Sequence, residues 1–554
     1  MSELSLIPEP QKLKRLAGSL AVPRRLTIGI GDQSLYESAR AIGSFFGPTK
    51  VHILDGQSDF VRLDIDPKLD SEAYELSIRK DGIELRGRDP RGVAHGAQTL
   101  RQIVAQSPGR LPLLSIQDWP DFCDRGQYYD LSRGRVPHLE SLLQQAELLA
   151  RFKMNHLELY IEHTFRFRRH PRIGRGASPL SAEDILKLDA HCQTLGVELV
   201  PSLASFGHLS KVLVLPEYRE LAEDWGVGRY LSPEVENVPS WKLHRGWTLS
   251  PSNPKSYEFL DSLFAEFLPL FSSKRFNVCC DETWDLGLGQ SFDQCAKLGK
   301  GRVYLNHIQR LNQLCRKYGK RMMFWGDIIR NYPDLIAEVP RDVTVLDWGY
   351  DHSHPFDNIS AFAKAGLEFL ACPGTSSWVS LFPRLPEAVG NISGFTRAAK
   401  KFGARGILNT DWGDGGHYNF MELSWHGYGF AAEQSWNGNA DQSSYNRRFA
   451  KVFLGSDDSR LVDAIETLGD VSHLKRENYY QSLWLHVFFA KPGDAMFTSG
   501  PAPGWTSKRG QIQRGTVDLT SAFGTKTHQR LGPVRAALER ALRQKGADPH
   551  GVLP

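Results

Sequence analysis

The stretch that decides the fold reads HLELYIE at residues 156–162, SAEDILKLDAHCQTLG at residues 181–196 and VELVPSL at residues 197–203. Two runs that are apolar on both faces flank a segment with apolar residues at helical spacing. Ser181 is typical of a helix start, and Gly196 is typical of a helix end. Strands that are apolar on both faces favour a parallel sheet covered by helices. This stretch therefore predicts a strand–helix–strand unit.

The same alternation repeats along the middle of the chain. Between residues 126 and 412 there are eight such runs, which read GQYYDL, HLELYIE, VELVPSL, FNVCCDE, MMFWGD, VTVLDWGY, LEFLACPG and GILNTDW. Amphipathic patterns such as LESLLQQAELLARFK and YLNHIQRLNQLCRKYG separate them. Eight strand–helix units predict an α/β fold with a (β/α)8 TIM barrel, which we place at residues 123–440.

The segments on either side of the predicted barrel have different patterns. Residues 1–122 contain short alternating runs, and AYELSIRKDGIELRG at 73–87 is a strong hairpin signal because a Lys-Asp-Gly turn separates two period-2 segments. A helical pattern follows at 91–106, so we expect a small α+β domain. Residues 441–554 contain RRFAKVFLG, LVDAIETLG and LGPVRAALERALRQKG, which indicate a C-terminal helical region.

Composition narrows the class of protein. The 554 residues are 41% hydrophobic and 23% charged, and the formal charge is only +4. Such a balance gives no argument for nucleic acid or a membrane surface as a partner. Seven scattered cysteines favour reduced thiols, and the first residues contain no uninterrupted apolar segment, so we expect a cytoplasmic protein. The sequence leaves a homo-oligomer open.

Acids and tryptophans follow several of the predicted strands, at the end where a barrel of this type has its active site. Tryptophan and carboxylate together are typical of a sugar site, because indole faces stack on the ring and acids bind hydroxyls. Asp281 and Glu282 are adjacent, and neighbouring strand residues point to opposite faces, so the pair must lie where the strand gives way to its loop. Two carboxylates this close favour protonation of one of them, which glycoside cleavage requires.

These motifs together resemble glycoside hydrolase family 20, the β-N-acetylhexosaminidases. The resemblance covers about residues 5–440 and rests on NVCCDE, RGQYYD, LLARFKMNHLELYIEH, PSLASFGH and EAYELSIRKDGIELRGRDPRGVAHGAQTLRQI. It implies a substrate-assisted, retaining mechanism in which the 2-acetamido oxygen of a terminal amino sugar attacks C1. Neither an enzyme nucleophile nor a cofactor or metal is then needed, and the partner is a glycan or an amino-sugar glycoside.

The resemblance also implies roles for single residues. Glu282 would be the general acid and then the base, and Asp281 would orient the acetamido N–H. His208 would support this pair, Arg125 would bind the hydroxyls at positions 3 and 4, and Asp414 would hold those at positions 4 and 6. Tryptophans would wall the acetamido pocket. The implied substrate-binding residues are Arg125, Glu162, His208, Trp325, Trp348, Trp378, Trp412 and Asp414.

Three departures from the family pattern indicate a divergent branch. The usual His-x-Gly-Gly before the acidic pair is replaced by NVCC at 277–280, and the second strand ends in Glu162-His163 instead of two acids. After the seventh strand the usual tyrosine is absent, and CPGTSSW at 372–378 offers Thr, Ser, Ser and Trp. Cys279 and Cys280 are interpreted as buried inert thiols, with a pocket-facing reactive thiol as the alternative. The choice between N-acetylglucosamine and N-acetylgalactosamine stays open.

Two other functions compete with this interpretation. A metal-dependent hydrolase would draw its ligands from His163, His170, Asp281 and His417, although no HExxH or CxxC pattern supports it. The second alternative is a catalytically inactive barrel that only binds glycans, and the sequence leaves it open.

Overall fold

The structure is a computed structural model of the chain, and it describes residues 4–47, 50–56, 58–224, 246–378, 380–414, 416–417, 419–471 and 521–543.

The N-terminal domain is a seven-stranded mixed sheet with two helices. Its strand order is β1-β7-β5-β6-β4-β2-β3. The strands are β1 Lys12–Ala21, β2 Arg25–Ile30, β3 Lys50–Asp55, β4 Val61–Ile65, β5 Tyr74–Arg79, β6 Gly82–Gly87 and β7 Arg110–Asp118. The predicted hairpin is the antiparallel pair β5–β6, in which Arg79 lies opposite Gly82. A separate hydrophobic core fills this domain.

The second unit is a closed barrel of eight parallel strands, in the order β10-β11-β12-β13-β14-β15-β8-β9. Its strands are β8 Asp124–Asp130, β9 His156–Ile161, β10 Glu198–Leu203, β11 Arg275–Asn277, β12 Arg321–Trp325, β13 Thr344–Trp348, β14 Glu368–Cys372 and β15 Gly406–Asp411. Each of the eight predicted runs contributes one strand. The predicted TIM barrel preceded by a small domain is therefore confirmed.

Helices cover both units. They are α1 Tyr36–Phe45, α2 Pro90–Gln106, α3 Leu139–Arg151, α4 Ala182–Thr194, α5 Ser210–Leu213, α6 Pro254–Phe267, α7 Phe292–Leu298, α8 Lys300–Lys317, α9 Asp327–Arg330, α10 Pro333–Ile336, α11 Ser360–Lys364, α12 Leu385–Phe402, α13 Trp425–Trp436, α14 Tyr445–Leu454, α15 Ser459–Val471 and α16 Ser521–Arg543. Ser181 caps α4 in a reciprocal capping box with Asp184, as its position before the helix predicts. Within the described residues, no helix combines the length and the apolar character that crossing a bilayer requires.

The C-terminal region is helical where the structure describes it. Two of the predicted helical segments lie in α14 and α15, and the third lies in α16 as far as residue 543. Helices α15 and α16 pack against each other through a small cluster of Ala464, Val534 and Ala537.

Buried charged side chains connect the N-terminal domain to the barrel, at the amino-terminal ends of the barrel strands. Arg125, at the start of β8, is fully buried and donates to the Glu72 carboxylate and to the backbone carbonyls of Phe122 and Lys153. Lys153 Nζ lies 2.8 Å from Asp118 Oδ2, and both side chains are inaccessible to solvent. Burial favours the neutral acid, but His95 and Arg125 lower the pKa of Glu72 below its ordinary value. These pairs fix one domain on the other.

Candidate active site

The acidic pair lies in an unusual piece of backbone. Strand β11 ends at Asn277, and the φ angles of Cys279, Cys280 and Glu282 are 61°, 70° and 50°. Such left-handed angles are normally left to glycine. Asn277 stabilises the turn, since its Oδ1 accepts the Cys279 N–H at 2.9 Å and its Nδ2 donates to Glu158 at 2.9 Å. The pair therefore projects from the loop after the strand, as the adjacency of two acids predicts.

His208 connects the two acids. Its Nε2 lies 3.2 Å from Asp281 Oδ2 and 3.5 Å from Glu282 Oε2, and its Nδ1 lies 3.7 Å from Glu162 Oε1. Burial alone would lower the pKa of His208, but the charge of Asp281, with a contribution from Glu282, raises it to about 9. His208 therefore carries a positive charge at neutral pH and offsets the repulsion within the pair.

The two acids differ in accessibility. The Asp281 side chain is 10% exposed, whereas that of Glu282 is 24% exposed. Asp281 Oδ1 is buried and has no hydrogen-bond partner within the part of the chain that the structure describes. A buried carboxylate oxygen without a partner is costly unless a ligand supplies one. The arrangement suits a deep binding group, Asp281, beside a more accessible acid, Glu282.

Gly207 lets the His208 loop pass directly against the acidic pair. A Cβ atom at Gly207 would lie 2.3 Å from the Asp281 carbonyl oxygen, which is far closer than real Cβ contacts. The glycine in PSLASFGH is therefore required for close approach of two backbones, and this contact sets the distance from His208 to the acids.

An arginine that the sequence analysis did not select lies at the centre of the site. Arg133 follows β8 and donates to Asp130 Oδ2 at 2.9 Å. Its guanidinium also lies 3.3 Å from Glu162 Oε1 and 3.3 Å from Asp414 Oδ1, and within hydrogen-bond distance of His208 Nδ1 at 3.2 Å. Burial raises the pKa of Asp414 to about 6, against the opposing charge of Arg133. The structure thus brings Arg133, Glu162, His208 and Asp414 together.

Arg125 does not lie in this group, and its expected contact with substrate is wrong. It is the second residue of β8 and therefore stands at the opposite end of the barrel, where Glu72 and backbone carbonyls bind its guanidinium. The physical reason is its place near the amino-terminal end of the strand, since only residues at the carboxyl end of a barrel strand reach the site. Applied to RGQYYDLSRGR, the same rule leaves Arg133 and Arg135, and the contacts with Glu162 and Asp414 identify Arg133.

Aromatic rings pack together near the carboxyl ends of the barrel strands. The ring centroids of Trp325 and Trp412 are 6.0 Å apart, and Tyr128 contacts both, at 5.2 and 5.1 Å. Tyr350, which the sequence analysis did not select, stacks on Trp348 at 5.2 Å and accepts the Trp412 Nε1–H at 2.6 Å.

Trp378 belongs to the same cluster of aromatic rings. Its ring meets Tyr350 edge-on at 5.1 Å, and its side chain is almost fully buried. The four tryptophans expected at the substrate site therefore belong to one cluster of aromatic rings, which also contains Tyr128, Tyr160 and Tyr350.

The cysteines beside the pair are buried. Cys279 and Cys280 are each 1% exposed, and burial raises the pKa of both thiols well above the ordinary value. Cys279 Sγ faces Ser202 Oγ at 3.4 Å, inside the barrel. Both observations favour the interpretation as inert thiols over the reactive alternative.

Two of the three histidines considered for a metal site have other partners. His170 contacts Tyr218 and Ser262, and His417 contacts Arg135 and the backbone of Asp130. Among the residues that the structure describes, no three acids, histidines or cysteines are grouped as ligands of one ion.

Comparison with protein families identifies the class. The chain matches the model "Glycosyl hydrolase family 20, domain 2" over residues 3–119 and "Glycosyl hydrolase family 20, catalytic domain" over residues 122–385. It belongs to glycoside hydrolase family 20. The first match coincides with the N-terminal sheet and the second with most of the barrel.

Individual relatives are distant. The chain is 26% identical over 419 residues to a β-hexosaminidase of Vibrio furnissii, a match that covers 68% of this chain and 64% of that protein. It is 24% identical over 363 residues to β-hexosaminidase subunit A2 of Dictyostelium discoideum, covering 59% of this chain and 63% of that subunit. The chain thus spans slightly less than two thirds of the length of these relatives.

Solved structures share the fold. The β-N-acetylhexosaminidase of Bacteroides fragilis superposes with a TM-score of 0.67 at 17% identity, covering 81% of this chain and 95% of that one. The chitobiase of Flavobacterium johnsoniae gives a TM-score of 0.65 at 21% identity, covering 81% of this chain and 72% of the other.

Proposed function

We propose that this protein is an exo-acting β-N-acetylhexosaminidase that removes terminal N-acetylglucosamine or N-acetylgalactosamine by substrate-assisted, retaining catalysis. The observation that carries the proposal is the geometry at Asp281, whose buried Oδ1 has no partner in the described structure and lies beside an accessible Glu282. An acetamido N–H would supply the missing hydrogen bond. Membership of family 20, and the names of the relatives above, support the same activity.

In this proposal the substrate provides the nucleophile. The acetamido oxygen attacks C1 while Glu282 gives its proton to the departing glycosidic oxygen, so that an oxazolinium ion and a free alcohol result. Asp281 binds the acetamido N–H and stabilises the positive charge. Glu282 then takes a proton from water as the water oxygen bonds to C1 and the ring opens. Protonated His208 offsets the charge of Asp281 in the first step, and that of both carboxylates once Glu282 has given up its proton.

The aromatic cluster and the charged residues would bind different parts of the sugar. In this proposal Trp325, Trp348, Trp412 and Tyr350 provide the apolar contacts for the acetyl methyl group. Arg133 and Asp414 form the polar side, and they replace the pair of Arg125 and Asp414 expected from the sequence. We expect Arg133→Lys to lower kcat/KM about 10- to 100-fold, because lysine keeps the charge but loses the planar fork of donors.

The test is hydrolysis of the 4-nitrophenyl β-glycosides of N-acetylglucosamine, N-acetylgalactosamine and glucose, with and without a chelator. We expect cleavage of the acetamido sugars alone, unaffected by the chelator. Glu282→Gln should reduce kcat by about 10²–10⁴-fold without changing Tm, since general acid–base catalysis contributes that factor. Glu338→Gln, in an exposed pair with Arg302, is the matched control.

Other results would lead to other functions. Cleavage of the glucoside would require an enzyme nucleophile and would overturn substrate assistance. Loss of activity with the chelator would favour a metal-dependent hydrolase. If none of the three glycosides is hydrolysed but a 2-acetamido sugar lactam binds, the results would favour a catalytically inactive barrel that only binds glycans.

We also propose a reducing, cytoplasmic location, which the seven unpaired cysteines support. Cell fractionation with an antibody against the protein tests it, and recovery outside the cytoplasm would contradict it.

A further inference from the structure

A third carboxyl group lies against the acidic pair. Asp327, the first residue of α9, accepts the backbone N–H of Glu282 through Oδ2 at 3.3 Å. Its Oδ1 is buried and makes no hydrogen bond within the described residues. The cation nearest along its own helix, Arg330, gives its guanidinium to Asp347 instead. Asp327 is thus held against two acids without an ion pair to a base in the described structure.

The bond from Asp327 completes the support of the Glu282 backbone. The Glu282 carbonyl oxygen accepts the Trp247 Nε1–H at 2.6 Å and the Trp284 N–H at 2.8 Å. Asp327 holds the N–H on the other side of the same residue, whose φ of 50° is unfavourable for an L-amino acid. Without Asp327, the left-handed conformation of Glu282 would lose a bond on its N-terminal side.

The surroundings of Asp327 favour its neutral form. Asp281 and Glu282 face it from the loop after β11, Arg330 from its own helix and Tyr304 from α8. His208 bonds Asp281 and Glu282 on the other loop. Burial, followed by the charges of Asp281 and Glu282, raises the pKa of Asp327 to about 8. At neutral pH this residue is therefore mostly a carboxylic acid.

We infer that Asp327 is a positioning residue of the acid–base centre, a neutral carboxylic acid that holds the backbone of Glu282 in its left-handed conformation. The inference rests on the proposed function, in which Glu282 is the proton donor. An ionised carboxylate here would add a further negative charge beside the pair, whereas the neutral acid accepts the N–H without that repulsion. Loss of the side chain should reduce the time that the Glu282 carboxyl spends in place.

The test compares Asp327→Asn with Asp327→Ala. Asparagine is neutral and keeps an oxygen for the Glu282 N–H, so kcat should stay within about threefold of wild type. Alanine leaves that N–H without its partner, a cost of about 1–3 kcal/mol, which corresponds to a loss in kcat of about 5- to 100-fold. KM should change by less than about threefold in both variants, because the role inferred for Asp327 is to hold the Glu282 backbone and not to bind substrate. Wild-type kcat with Asp327→Ala would overturn the inference, as would an asparagine variant as impaired as alanine.

A second measurement tests the protonation state without using activity. The folded protein holds the Asp327 proton up to about pH 8, whereas an unfolded chain releases it near the ordinary pKa of about 4, so this group lowers stability progressively as pH rises from about 4 to about 8. Asp327→Asn cannot ionise, so its Tm should fall less between pH 5 and 8 than that of wild type. Parallel falls would show that Asp327 is already ionised, and would overturn the inference even if alanine failed to fold. Wild-type protein without activity on acetamido glycosides would refute the proposed function, and the Tm comparison would still decide the state of Asp327.

Discussion

Replacement of Gly207 by alanine should move the catalytic groups apart without unfolding the barrel. The added Cβ would stand 2.3 Å from the carbonyl oxygen of Asp281 and 3.4 Å from that of Glu282. Ordinary contacts of a Cβ atom begin near 3.4 Å, so one of the two backbones must shift by about 1 Å. The obstacle is a backbone carbonyl, which cannot rotate away as a long side chain can.

A shift of this size should be costly for catalysis. It would lengthen the 3.2 Å contact between His208 and Asp281 beyond hydrogen-bond range, or displace Glu282. A misplacement of about 1 Å lowers rates by about 100-fold, which is the loss in kcat/KM that we expect for Gly207→Ala. The assay is hydrolysis of the 4-nitrophenyl N-acetylglucosaminide, with circular dichroism and Tm to verify folding.

A matched control is Gly438→Ala. The Cβ in that variant would meet nothing nearer than 3.4 Å, and activity should stay at the wild-type level. Wild-type kcat/KM in a folded Gly207→Ala protein would show that the two loops have room to separate, and the argument from close approach would fail.

Three further predictions concern stability and reactivity. Tm should fall by about 5 °C or more between pH 6.5 and 9, because the pKa of His208 is raised to about 9 and that of Glu158 to about 8. The folded state binds these protons more tightly than the unfolded chain does, and it loses that stability as pH rises through these values. A Tm that does not change with pH would contradict this prediction. Glu72→Ala should lower the free energy of unfolding, measured by urea denaturation, by about 3–5 kcal/mol, because it leaves the buried Arg125 guanidinium without its carboxylate. The control Asp357→Ala removes an exposed ion pair with Lys401 and should cost less than about 1 kcal/mol. A thiol reagent should label only the exposed Cys123 rapidly in the native protein, and fast labelling of several thiols would refute the buried assignment of the others.

The sequence predicted the barrel because its strands are covered on both faces. A strand such as β9, which is buried along its whole length, must be apolar on each side, and this pattern is visible without a structure. The same holds for α4, whose capping residue Ser181 precedes a helical apolar spacing. These features depend on neighbours along the chain.

The arginine of the site could not be chosen from similarity alone. Arg125 lies near the start of β8 and Arg133 just after its end, and only the direction of the strand decides which of them reaches the acids. Arg125 is instead part of the contact between domains, a contact that involves Glu72 from far away in the chain. Contacts between residues so far apart in the chain become visible only in the folded structure.

Backbone conformation was equally hidden from the sequence. The run FNVCC is typical of a strand, yet Cys279 and Cys280 have left-handed φ angles that glycine would normally occupy. Tyr350 and Asp327 stand directly after strands, where the rule for barrels places site residues, but their use depends on the direction in which each loop turns.

The buried pairs between the N-terminal sheet and the barrel limit how this architecture can be recombined. A barrel grafted onto another family member's sheet would carry Arg125 and Lys153 into the new junction, both with fully buried side chains. The new sheet domain would need carboxylates at the positions of Glu72 and Asp118. Without them, the chimera would bury the positive charges of Arg125 and Lys153 without counter-ions, which is strongly destabilising. In this branch of the family, the two domains are therefore expected to be inherited as one unit, and chimeras that change one half should be built with the facing acids changed in the other.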